Sequence, residues 1–194
     1  RNQSKACTAP GHYRASKGNA RCDMKGMHPP IMALHATSRG FGFVVMSGPF
    51  SLVDWGTRHV VKDKNAVCLA RLTKLLDHYD PHTLVLEDPS TLPRRSARIN
   101  RLYKAIADLC YSRSIDLAVF SRDDMRHCYT SVGANSWQDI AEAVGRQLEP
   151  LRRRVPSRRR AWQGEMRRMS VFVAAAFAMT YWQLADTSHG LSAA

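Results

Sequence analysis

The succession of short apolar runs in the first two thirds of the chain constrains its fold more than any other feature. Residues 31–36, 41–46 and 51–57 are apolar or alternating, and Ser-Arg-Gly and Gly-Pro turn residues separate them. Runs of this kind predict three consecutive antiparallel strands. From Asn65 to Tyr79 leucines recur near helical spacing, which predicts an amphipathic helix after the third strand.

Helices and strands alternate after that first helix. Thr83–Glu87 and residues 115–120 are compact apolar runs typical of buried strands. The helical pattern at residues 96–112 lies between them and implies a right-handed crossover. Two more helices are predicted at residues 136–148 and 168–184, separated by an arginine-rich joint. The predicted order of elements is therefore βββαβαβαα, which is an α/β fold.

Composition indicates one folded domain in a chain of 194 residues, of which 44% are hydrophobic and 8% aromatic. Residues 1–29 carry Gly, Pro, Ser and basic residues without periodicity, so we expect a flexible basic arm there. The domain is predicted at residues 30–184, with a short tail at 185–194. No apolar run reaches the ~20 residues that span a bilayer, and the first thirty residues contain no signal-like apolar segment. We therefore expect a cytoplasmic location.

The charge balance points to a polyanionic partner. The net charge is +13 and the isoelectric point is near 10.1, which favours DNA or RNA through counterion release. The densest basic stretch lies at residues 152–168, where arginine forks suit phosphate oxygens and an indole ring can stack on a base. The predicted nucleic-acid-binding residues are Arg39, Arg94, Arg95, Arg98, Arg152, Arg153, Arg154, Arg158, Arg159, Arg160 and Trp162.

The five cysteines are widely spaced and form no CxxC pair, which indicates reduced thiols. Cys68 and Cys110 fall in apolar helical contexts and are predicted to be buried. Cys7, His12 and Cys22 are the one group that hints at metal, and their spacing matches no standard zinc module.

Five segments between residues 30 and 182 carry a family resemblance. They are IMALHATSRGFGFVV from Ile31, LVDWGT from Leu52, TLVLEDPS from Thr83, SWQDIAEAVGRQL from Ser136 and MSVFVAAAFAMTYW from Met169. Their order and spacing resemble those of RuvC-type Holliday-junction resolvases, in the RNase H-like superfamily. The resemblance implies an α/β fold with a mixed five-stranded sheet, flanked by helices. Because RuvC-type enzymes are dimers, it also favours a homodimer.

The resemblance gives active-site positions to three residues of this chain. His35 stands where the family has an aspartate, Glu87 falls on the family's glutamate, and Val173 stands on a further aspartate. In the family, such carboxylates hold two divalent ions about 4 Å apart for phosphodiester cleavage. Imidazole supplies one neutral nitrogen where bridging oxygens are needed, and valine supplies no ligand. We therefore expect ordinary two-metal catalysis to be lost.

Glu87, Asp88 and His35 are the candidate residues of this altered or vestigial catalytic site, and the same three are the candidate metal ligands. Carboxylates at the end of a buried strand need a metal ion, an arginine or backbone donors. The arginines predicted to satisfy them without a metal are Arg39, Arg94 and Arg95.

Three further acids are candidates to replace the missing metal ligands. Asp54 lies on the third predicted strand, whereas Asp139 and Glu142 lie early in the helix that follows Ser136. A structural role is the more typical one for each, because acids in a first helical turn stabilise the helix dipole.

Three functions remain open at the level of sequence. The leading hypothesis is a RuvC-like protein that binds branched or structured DNA and is catalytically degenerate, with no cofactor. The alternative is a divergent endonuclease that uses His35, Glu87 and Asp88 with Mg²⁺ or Mn²⁺. A structural subunit of a nucleoprotein particle would also explain the charge and the lost acids, and the sequence does not separate DNA from RNA.

Overall fold

The computed structural model describes residues 29–91, 97–157 and 168–190, which build a five-stranded mixed sheet in the order β3-β2-β1-β4-β5. The strands are β1 (Ile31–Thr37), β2 (Gly40–Gly48), β3 (Ser51–His59), β4 (Thr83–Glu87) and β5 (Asp116–Phe120). The first three strands are antiparallel, whereas β4 runs parallel to β1 and β5 runs parallel to β4. The predicted meander and the parallel crossover are both confirmed.

The turn between β1 and β2 depends on a glycine. Gly40 has a φ of +140°, and a side chain there would overlap the backbone carbonyl of Arg58 on β3. Only glycine adopts this conformation at no steric cost, so the residue fixes the tight start of the meander.

The helices are α1 (Lys64–Tyr79), α2 (Ala97–Ser112), α3 (Arg122–Thr130), α4 (Trp137–Gln147), α5 (Glu149–Arg152) and α6 (Met169–Gly190), with a 3₁₀ turn at Pro89–Thr91. The sequence analysis missed α3 and α5, and α6 runs past its predicted end at Leu184. The helix α3 is short and polar, with only Met125 and Tyr129 buried, so it has no long apolar stripe to find. Its local signal is the capping box of Ser121 and Asp124.

Helices cover both faces of the sheet because successive side chains of a strand point to opposite sides. Met32 and Leu34 join the core beneath α1 and α2. Ile31 and Ala33 join the second core, to which α3, α4 and α6 contribute. Small alanine side chains at 174–176 and 178 are fully buried in α6, which allows that helix to lie close to β1, β2 and β4. Among the described helices, none has both the length and the apolar character that crossing a bilayer requires.

The approach of α6 to the sheet is closest at Gly42 on β2. A Cβ atom at this glycine would lie 2.5 Å from the backbone carbonyl carbon of Ser170, in the first turn of α6. Since Gly42 pairs with His35 of β1, the amino-terminal turn of α6 reaches the sheet beside His35.

The thiols behave as the sequence predicts. Cys68 and Cys110 are buried and unpaired, and burial raises the pKa of Cys110 to about 11. Cys7, His12 and Cys22 lie outside the described residues.

Candidate functional site

The register of the two central strands brings His35 and Glu87 together. In the parallel pair β1 and β4, Leu34 lies opposite Leu86, so the next residues, His35 and Glu87, lie side by side at the carboxyl ends of the two strands. Both side chains are buried, and Glu87 has no exposed surface at all. The Nδ1 atom of His35 lies 3.1 Å from Oε2 of Glu87. The predicted meeting of these two residues is therefore observed.

Arg122 is the cation that faces this carboxylate. Because Glu87 pairs with Phe120 of β5, the chain that leaves β5 passes directly beside Glu87. Ser121 then caps α3, and Arg122 is the first residue of that helix. Its Nε donates a hydrogen bond of 2.5 Å to Oε1 of Glu87.

The Arg122 side chain is held from a second side by an aromatic ring. Its Cζ lies 5.3 Å from the centre of the Trp137 ring, in cation–π geometry. The Arg122 side chain nevertheless remains 33% exposed. The sequence predicts Arg39, Arg94 or Arg95 as the partner of Glu87 and Asp88. Among the described residues Arg122 makes this contact with Glu87, whereas Arg94 and Arg95 lie outside the described residues.

An ionised carboxylate that is wholly buried is costly unless a cation or strong donors compensate it. Arg122 supplies that compensation for Glu87 within the chain itself. The contact from His35 is of another kind. Its distance suits an ion pair, but its geometry does not meet that of a hydrogen bond, and Nδ1 has no other hydrogen-bond partner among the described residues. We therefore treat it as an electrostatic contact that lacks hydrogen-bond direction.

Asp88 is used by the turn that follows β4. Its backbone N–H donates to the carbonyl of Phe120 at 2.8 Å, and its Oδ1 accepts from the backbone N–H of Ser90 at 2.8 Å. The side chain thus caps the 3₁₀ turn, a common role for aspartate before a short helix.

The helix α6 brings no carboxylate to this edge. Val173, which stands on a family aspartate, is buried in the same apolar core as Ala33 and Val85. Ser170, one turn earlier, is buried beside Gly42. The position that would supply the last acid is therefore part of the packing between α6 and the sheet.

The three acids considered as replacement ligands have structural roles. Asp54 accepts a hydrogen bond of 2.5 Å from the Tyr79 hydroxyl, which raises the pKa of Tyr79 to about 12. Asp139 forms a capping box with Ser136 at the start of α4. Glu142 accepts from the side chain of Gln138 at 3.2 Å.

The described side chains near Glu87 offer few ligands for metal ions. Within residues 29–91, 97–157 and 168–190, no three His, Cys, Asp or Glu side chains come together to hold a metal ion. In addition, one oxygen of Glu87 is bonded to a guanidinium group. Two Mg²⁺ ions need several hard anionic oxygens, so the described residues do not fit a two-metal centre.

The structure separates the predicted phosphate-binding arginines into exposed and internally bonded ones. Arg39 is exposed in the turn between β1 and β2, and residues 152–154 are exposed at the end of α5. Arg98 instead donates to the carbonyl of Thr37 at 2.8 Å and to the side chain of Asn65 at 2.9 Å. Arg98 therefore holds α2 against β1 and α1. The remaining predicted residues, Arg94, Arg95, Arg158, Arg159, Arg160 and Trp162, lie outside the described residues.

Sequence reasoning missed a basic groove between β3 and α1. Arg58 lies over the Phe43 ring at 4.8 Å, and Arg71 donates to the carbonyl of His59 at 2.6 Å. The residues that line the groove are Arg58, Arg71, Lys74, Leu75, His78 and Tyr79. Arg58 lies on β3, whereas Arg71 and Lys74 lie on α1, so no local run of charge reveals the groove.

Neither a protein-family model nor a curated protein sequence matches the chain. Solved structures do match it. Thermus thermophilus RuvC in complex with a Holliday junction substrate superposes with a TM-score of 0.63 at 13% identity, covering 83% of this chain and 97% of that chain. A second Thermus thermophilus RuvC structure gives a TM-score of 0.57 at 11% identity, covering 82% of this chain and 96% of that one. This protein therefore has the RNase H-like fold of RuvC, with an arginine facing the buried glutamate at the end of β4.

Proposed function

We propose that this protein binds branched or structured DNA and does not cleave it by a two-metal mechanism. The observation that carries the proposal is the Arg122–Glu87 pair, because it places a cation of the chain itself on the acid that matches the family's glutamate. A guanidinium group neutralises a carboxylate but activates no water, so the pair preserves the fold of this edge without supplying cleavage chemistry.

Charge and fold support DNA as the partner. A net charge of +13 favours a polyanion, and a protein of the same fold has been solved with a Holliday junction. The exposed arginines at residues 152–154 offer bidentate donors to phosphates. The proposal includes a homodimer and an intracellular, nucleoid-associated location, and sedimentation of the free protein tests the dimer.

A divergent endonuclease is the second candidate, favoured by one observation. The Nδ1 atom of His35 is buried, has no hydrogen-bond partner among the described residues, and lies beside Glu87. Imidazole suits Mn²⁺ or other transition metals better than Mg²⁺. In this candidate His35, Glu87 and Asp88 would hold the ion, which requires Arg122 to leave Glu87.

The test of the proposed function is binding across a salt series. A labelled four-way DNA junction, a linear duplex of the same sequence and a structured RNA are titrated with the protein. We expect the junction to bind most tightly, and its affinity to fall linearly with salt on logarithmic axes. No binding at low salt, or a flat response to salt, would remove the proposal. Preference for the RNA would reassign the partner to an RNA–protein particle.

A matched pair of triple variants locates the interface. Glutamine at Arg152, Arg153 and Arg154 should reduce the salt slope by about 3, at about 0.9 per phosphate contact. Glutamine at three other exposed cations, Lys62, Lys74 and Arg113, removes the same charge and should change the slope much less. Equal reductions of the salt slope in the two variants would mean that residues 152–154 contribute to binding only through the total charge of the protein.

A further inference from the structure

We infer that Arg122 is itself a phosphate-binding residue. It holds a DNA phosphate beside Glu87, where a two-metal nuclease would hold the phosphate through metal ions. The inference rests on the proposed function, since it names a contact between that same edge of the sheet and the DNA backbone.

The hydrogen bonding of Arg122 leaves most of its donors available. A guanidinium group has five N–H donors, and the bond to Glu87 uses the single one on Nε. Within the part of the chain that the structure describes, the Nη atoms of Arg122 have no hydrogen-bond partner. These four N–H groups form the outer part of the fork, which matches phosphate oxygens in bidentate geometry.

Packing fixes the direction of this fork. Glu87 holds Nε from inside the sheet, and the Trp137 ring lies 5.3 Å from Cζ. A side chain held on two sides loses little further entropy on binding, which favours affinity. With 33% of its surface exposed, the side chain is neither closed off from a ligand nor free in solvent.

Two acids, Asp123 and Asp124, follow Arg122 directly in the first turn of α3. The two neighbouring acids are engaged elsewhere, because Asp124 caps α3 through Ser121 and Asp123 lies 3.6 Å from Arg126. The Glu87 carboxylate is wholly buried behind the guanidinium group. A phosphate that approaches from solvent therefore meets the cation before it meets the carboxylate.

Variants at both members of the pair separate phosphate binding from a purely structural role. We compare Glu87→Gln, Arg122→Met and Glu87→Met/Arg122→Met for affinity to a four-way junction, and follow folding by thermal unfolding. The double variant replaces a buried ion pair by apolar groups, which is often neutral for stability. If Arg122 contacts phosphate, Glu87→Gln binds at least as tightly as the unmodified protein. Arg122→Met and the double variant each lose about tenfold, with a salt slope lower by about 1.

Arg113→Met is the matched control, because Arg113 also pairs with a carboxylate at 2.5 Å, that of Asp77, but precedes β5, whereas Arg122 follows the other end of that strand. It should leave the affinity within about twofold. Binding by the double variant equal to that of the unmodified protein would overturn the inference while leaving the proposed function intact. No binding by the unmodified protein at low salt would instead overturn the proposed function.

Discussion

The two faces of β1 and β4 differ at the same strand ends. On the face beneath α1 and α2, the strands end in Leu34 and Leu86, which are buried in an apolar core. On the face toward α6, the next residues are His35 and Glu87, buried at the same depth. On each strand, one residue therefore lies in the apolar core and the next lies at the candidate site on the opposite face. A buried polar strand end needs compensation for its charge, and a third element, α3, brings a cation to it.

The largest expected loss in the free energy of unfolding follows a substitution on the apolar face. Leu86→Ala removes a side chain that is 2% exposed, and the cavity should cost about 4 kcal/mol of the free energy of unfolding. Urea denaturation followed by circular dichroism measures this cost. Junction affinity of the folded variant should not change, because Leu86 faces away from Glu87. A loss of affinity in the folded fraction would break the distinction between the two faces.

The next effect lies on the polar face. Arg122→Met leaves the buried Glu87 carboxylate without its cation and should cost about 3 kcal/mol in the same assay. Arg113→Met removes a pair of which Asp77 is 57% exposed, and should cost no more than about 1 kcal/mol. Similar costs for the two variants would show that burial of Glu87 does not govern the strength of its pairing.

The smallest effect concerns a carboxylate that is not fully buried. The hydrogen bond to Asp54 raises the pKa of Tyr79 to about 12, with smaller contributions from desolvation and the charge of Asp54. A raised pKa means that the folded state favours the neutral phenol, so this stabilisation is present below about pH 10 and is lost as pH rises through 12. Titration of the tyrosinate absorbance should show one Tyr titrating earlier in Asp54→Asn. An unchanged titration curve would contradict the bond between the two side chains.

Most of the sheet follows from the sequence, for a physical reason. Strand faces alternate with period two, and the runs at Ile31–Thr37 and Thr83–Glu87 are apolar enough that burial decides their position. Once the two strands are parallel neighbours, His35 and Glu87 must meet at their ends. The sequence therefore predicts correctly that these two residues lie side by side.

The partner of Glu87 was not predictable in the same way. Arg122 lies 35 residues from Glu87 in sequence, and their contact depends on the register of β5 and on the capping of α3. Arg98 is predicted to bind nucleic acid, but its guanidinium group donates to the carbonyl of Thr37. A count of basic residues does not reveal such an internal contact. Both outcomes are set by tertiary geometry.

A cleavage assay with a labelled four-way junction, in Mg²⁺ and separately in Mn²⁺, shows whether the protein binds the junction without cutting it. The described residues around Glu87 do not fit two metal ions, so we expect a retarded but uncut junction with both metals. Glu87→Gln serves as the control for contaminating nuclease, since any cutting that persists in that variant does not come from this site. Symmetrical cuts by the unmodified protein that vanish in Glu87→Gln would contradict the account and would identify His35 and Glu87 as working metal ligands.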